Sequence, residues 1–192
     1  MDNSNNSGNS KSKKSMPVAK MVMCGLFAAL LCVAAYISIP LPLPGAPHLT
    51  MINFVVILIA LVFAPLESTA IVAVWLILGT VGLPVFIGGK GGFAYLIQPW
   101  GAYTWGFMFA AILLPFIRGK KYNRIRYTIC ALAGVILIDL VGMFYLMAMS
   151  GYGIIEGFTL GFLPFIPLDI VKAVIAAQIV PAFNRIMNRY GR

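Results

Sequence analysis

Residues Pro164–Ala177 read PFIPLDIVKAVIAA. The run has the composition of a membrane-spanning helix, yet it carries an acid, Asp169, and a base, Lys172. Their i,i+3 spacing puts both on one helical face, about 5–6 Å apart at Cβ. A charge at the centre of a membrane helix costs on the order of 2.5–3.5 kcal/mol on the lenient insertion scale. Two such costs on adjacent turns imply either a mutual ion pair or a grip on a polar guest.

The whole chain has the same character. It is 192 residues long, 61% hydrophobic and only 10% charged, against about 45–50% and about 25% in soluble domains. The apolar runs are continuous rather than alternating, so they predict an all-α bundle rather than a barrel. Six runs of about 20 residues fit the length. Residues 1–15, rich in Asn, Ser and Lys, predict a disordered tail, and residues 16–192 a single transmembrane domain. The six predicted spans run from Pro17 to Ile39, Thr50 to Ala64, just after Pro65–Glu67 to Gly82, Trp100 to Ile117, Tyr127 to Met149, and from Phe165 onward.

Net charge is +9, but it is unevenly spread. All Lys and Arg residues except Lys90 and Lys172 fall in three groups: the N-terminal tail to Lys20, RGKKYNRIR at Arg118–Arg126, and the C-terminus from Arg185. With six spans these share one side, and the positive-inside rule puts both termini in the cytoplasm of a cell-membrane protein. The pattern argues for orientation in a bilayer, not for nucleic acid as partner. Asp139, midway along the fifth span, reads as a hydrogen-bonded structural acid near Lys172 or a tyrosine.

Catalytic and metal motifs are missing from the sequence: it has no HExxH, no GxSxG and no carboxylate cluster, and its one histidine is His48. Neither catalytic residues nor a cofactor is expected. The stretch Gly82–Tyr103, GLPVFIGGKGGFAYLIQPWGAY, superficially resembles a phosphate loop, but Lys90 is followed by Gly91 rather than Ser or Thr. Interleaved Phe86, Phe93, Tyr95 and Trp100 predict a loop folded back over a pocket. A second segment, Ser150–Leu163, reads as another glycine- and aromatic-bearing loop. In the first span, Cys24, Ala28 and Cys32 make one row of small residues and Gly25 and Ala29 another. Such rows permit close helix–helix approach in lipid, to a neighbouring span or to another subunit.

GLPVFIGGKGG followed by PFIPLDIVKAVIAA resembles BioY, the biotin-specific substrate-binding (S) component of energy-coupling factor (ECF) transporters. The resemblance runs from the first span to the last. It implies a biotin pocket near the outer surface and, as partners, a transmembrane coupling protein and two ATPases. It also implies that the small residues Cys24, Gly25, Ala28, Ala29 and Cys32 meet the coupling protein. The family's P-T-G-G-Y-L run is PWGAYT here, its glutamine on the second span is Ile52 and its tyrosine on the third is Trp75. For biotin, Asp169 suits a urea N–H, and Lys172 suits either the urea oxygen or the carboxylate. Around them the expected pocket has Asn53, Trp75, Gly89, Gly91, Phe93, Tyr95 and Tyr103. The rival class is a self-sufficient facilitator or ion-coupled carrier of a small polar solute.

Overall fold

The computed structural model describes residues 18–42 and 48–190, and side chains as far as residue 186. The expected tail over residues 1–15 lies outside this range. The chain is mostly helical: α1 (Val18–Ala34), α2 (Ile52–Val62), α3 (Pro65–Thr80), a single-turn α4 (Phe93–Leu96), α5 (Tyr103–Ile117), α6 (Arg124–Ser150), α7 (Ile154–Gly161) and α8 (Ile166–Tyr190). Between α1 and α2, β1 (Ser38–Pro40) pairs antiparallel with β2 (His48–Thr50). The first helix therefore stops short of Ile39. Proline fixes φ and cannot donate to a helix ladder, and Pro40 sits in a strand, opposite His48.

The bundle is built around α2. Nine of its residues, Ile52 and Val55 through Val62, are buried, as expected of a helix that is apolar all round. It packs on α1, α3, α5, α6 and α8. By contrast Val74, Ile77, Leu113, Phe116, Ile129, Ile136, Phe144 and Ile175 of the surrounding helices are exposed. A belt of large apolar side chains turned outward on four helices fits hydrocarbon, not water. Among the described residues, three helical stretches are long and apolar enough to cross a bilayer: Pro99–Ile117, Arg124–Ser150 and Ile166–Ile186. The helices α1, α2 and α3 are apolar but shorter.

Both ends of the bundle are fastened by polar groups serving backbone. Farthest from the hairpin, Arg118 at the end of α5 donates to Phe63 O (2.6 Å) and Val62 O (3.4 Å), carbonyls left open where α2 stops, and to the Tyr127 hydroxyl (2.8 Å). Pro65 starts α3, and Glu67 there accepts from Ala64 N and pairs with Lys20 of α1 at 2.5 Å. At the hairpin end, Met51 N donates to Ile37 O (3.1 Å) and Gly88 N to Ala35 O (3.2 Å). Tyr36 Oη donates to Pro84 O at 2.5 Å.

The segment after α6 is not a plain loop. It contains α7, opened by Glu156 accepting from Gly153 N. Gly157 and Gly161 lie where a Cβ would strike Met147 and Leu146 of α6. These glycines set a close helix contact.

Arg118→Met leaves the carbonyls at the end of α2 without their donor. It is expected to destabilise the detergent-solubilised protein by about 1.5–3 kcal/mol, read as a fall in thermal midpoint.

Candidate functional site

The site is built at the start of α8. Asp169 occupies the first turn, where the helix dipole favours an acid. Lys172, one turn on, reaches Asp169 Oδ1 at 2.7 Å and Thr50 O at 2.8 Å. Asn53 Nδ2 of α2 donates to Asp169 Oδ2 at 2.5 Å. Both carboxylate oxygens are thus engaged, and Asp169 is 1% exposed. The i,i+3 spacing does bring the two charges together. Their pairing ties α8 to the β2–α2 junction.

Beside this tie lies a cavity of about 370 Å³, lined by Thr50 and Asn53 from the tie and by His48, Lys90, Tyr95, Trp100, Tyr103, Asp139, Ser150, Tyr152 and Phe165 among others. Its size falls in the range of small-molecule sites, about 300–1,000 Å³. Asp169 and Lys172 stand behind Thr50 and Asn53 rather than on the wall.

Aromatic rings shape the rest. Tyr103 stacks on Trp100 (centroids 6.2 Å, planes 11° apart) and leans on Phe165 at 5.4 Å. Its hydroxyl donates to Gly161 O. The ring rests on α6 at Gly142, where an added Cβ would fall 2.2 Å from a ring carbon. Tyr95 is stacked on Phe86 at 4.9 Å. Burial first, and then the charge of Lys90, push the His48 imidazole below its usual pKa.

Of the nine expected binding residues Asn53, Tyr95 and Tyr103 reach the wall; besides Asp169 and Lys172, four others do not. Trp75 is fully buried, edge-on to Phe86 at 5.3 Å, with its indole N–H on Val85 O at 2.9 Å. It props the glycine-rich loop from behind. Phe93 is 62% exposed and faces away. Gly91 meets the chain's own backbone: a Cβ there would be 2.4 Å from Leu83 O, and one on Gly89 would be 3.2 Å from the Tyr36 ring. The close approach that these glycines allow is internal.

Asp139 departs from expectation in the other direction. It is 1% exposed, but neither carboxylate oxygen has a hydrogen-bond partner among the described residues, and it lines the cavity. An acid in the middle of an apolar span was the signal for it; facing the cavity was not readable. Ser150 and Tyr152 open the second glycine- and aromatic-bearing segment, but neither they nor His48 stood out as site residues, because only the fold gathers them. Among the described residues no cluster of His, Cys, Asp and Glu could hold a metal ion.

On α1 the two small-residue rows separate. Cys24, Ala28 and Cys32 are half-buried against the core, whereas Gly25 and Ala29 are exposed. Among the described residues nothing lies within 4 Å of a Cβ built on Gly25.

Comparison with known proteins gives a uniform answer. The sequence model of the BioY family matches residues 8–189. A biotin transporter BioY of Thermotoga maritima is 37% identical over 160 residues, covering 83% of this chain and 92% of the relative. A probable biotin transporter BioY of Pyrococcus horikoshii is 38% identical over 164 residues, 85% of this chain and 95% of its own. The crystal structure of the S component for biotin from an ECF-type ABC transporter superposes with a TM-score of 0.77 at 26% identity, covering 91% of this chain and 96% of that one.

Lys172→Met leaves a buried carboxylate without its counter-ion. A loss of about 3–5 kcal/mol is expected, with the double variant Asp169→Leu, Lys172→Met recovering most of it in thermal unfolding.

Proposed function

This chain belongs to the BioY family, and on that premise we propose that it is the high-affinity biotin-binding S subunit of an ECF-type transporter. It imports biotin with a separate transmembrane coupling protein and two ATP-binding subunits. The observation that carries the reading is the cavity at the hairpin end, with a buried polar tie on one side and stacked aromatic rings on the other.

Biotin offers a cyclic urea, an apolar thiophane ring and an aliphatic chain ending in a carboxylate. The urea goes to the side of Thr50 and Asn53, with the Asp169–Lys172 pair behind them exchanging its protein contacts for ligand contacts. The carboxylate points to the mouth, towards Lys90, which is exposed and on the wall. Lys172 already has a carboxylate at 2.7 Å, which supports this polarity. Charge-assisted bonds contribute about 1.5–3 kcal/mol each, and a nanomolar ligand needs about 12 kcal/mol. Burial against Tyr95, Trp100, Tyr103 and Phe165 supplies much of the remainder.

In this reading the domain is single, and α1, α2, α3, α5, α6 and α8 all cross the plasma membrane with both termini in the cytoplasm. The exposed apolar belt supports it, as does the gathering of Lys20, Arg118, Lys120, Lys121, Arg124, Arg126 and Arg185 at the end away from the hairpin. The exposed Gly25–Ala29 row is the contact for the coupling protein.

Purified protein is expected to bind biotin without ATP; a titration calorimeter showing no heat, together with no thermal shift, removes biotin as ligand. Biotin flux into liposomes carrying this chain alone would favour an autonomous carrier. Ala29→Trp is expected to abolish co-purification with the coupling protein while changing biotin affinity by less than about twofold, or about 0.4 kcal/mol.

A further inference from the structure

Among the described residues, Asp139 is the cavity-lining side chain whose buried polar atoms have no partner. It lies on the buried face of α6 with Val135, Ile138, Gly142 and Met143. An acid there is costly to keep in a membrane protein, and such residues are retained for a use. Its near neighbours are already committed. Tyr103 gives its hydroxyl to Gly161 O, and Asp169 is shared between Lys172 and Asn53. Both Asp139 oxygens remain without a donor among the described residues, in a side chain 1% exposed and on the cavity wall.

Position adds to this. Asp139 and Ser150 both line the cavity and both lie on α6, separated by about 16 Å of helix rise. The cavity is therefore long in the direction of α6. Ser150 belongs to the hairpin end and so does Lys90, while Asp139 lies deep. A cation at the mouth and an open acceptor at depth match a ligand with an acid at one end and N–H donors at the other.

We propose that Asp139 is a specificity-determining residue that accepts a hydrogen bond from one ring N–H of the bound ligand at the deep end of the cavity. The inference rests on the biotin reading and deepens it: one urea N–H goes to Asp139 and the other to the Asn53 side. A site that holds a donor in this way rejects analogues lacking it, because a buried acceptor is then left bare.

The test is a titration of wild type, Asp139→Leu and Asp139→Asn with biotin and with two derivatives, each methylated at one urea nitrogen. Asp139→Leu is expected to weaken biotin on the order of ten- to a hundredfold, with Asp139→Asn between it and wild type. One of the methylated derivatives is expected to bind wild type more weakly than biotin by a similar factor, yet to lose no more than about twofold further in Asp139→Leu, because the two changes remove the same bond. Without ligand, the thermal midpoint of Asp139→Leu should equal or exceed that of wild type, since an unpartnered buried carboxylate has been removed. The proposal is overturned if Asp139→Leu binds biotin within about threefold of wild type, if both methylations multiply fully with the substitution, or if the ligand-free midpoint falls, as it would for a structural acid. A wild type that fails to bind biotin overturns the biotin reading itself, and this one with it, before any variant is compared.

Discussion

The hairpin end depends on one buried ion pair and the two groups that complete it. Asp169 and Lys172 would each be expensive alone in an apolar bundle. Together, with Asn53 donating to the carboxylate and the Thr50 carbonyl accepting from the ammonium, they form a neutral, hydrogen-bonded unit. Such a unit gains little over an apolar replacement. What it fixes is geometry: the start of α8, the start of α2 and the end of β2 are held to one point. The cavity wall is made from the side of that point, by Thr50 and Asn53.

A second constraint comes from the rings. Tyr103 lies against α6 because Gly142 leaves room for it, and its hydroxyl reaches α7 at Gly161. The aromatic wall is therefore fastened to three helices. The glycine-rich loop is held differently, from behind by Trp75 and from the side by Tyr36. Loop and wall meet where Tyr95 stacks on Phe86.

Much of this was legible from residue types. Continuous apolar runs gave the helices, and the i,i+3 spacing gave the Asp169–Lys172 contact. What escaped was direction. Trp75 and Phe93 lie in or beside the right loop, yet one is behind it and the other outside it, and aromaticity does not reveal a facing. Gly157 and Gly161 read as loop residues because glycine weakens helices; they stand in α7 because bare backbone is what α6 requires there. Asp139 was visible as a charge out of place, but whether it meets a partner or a cavity depends on where α5 and α8 fall. The two small-residue rows of α1 could be seen in the sequence, and only packing tells which row faces out.

The shortness of α2 reaches back to how the chain is made. Its 11 residues rise about 16 Å, roughly half the hydrocarbon thickness of a bilayer. Only two residues, Phe63 and Ala64, separate it from α3. The helix at the centre of the bundle is thus among its shortest, and three of the helices it packs on, α5, α6 and α8, come later in the chain, so its full surroundings exist only once those have been synthesised.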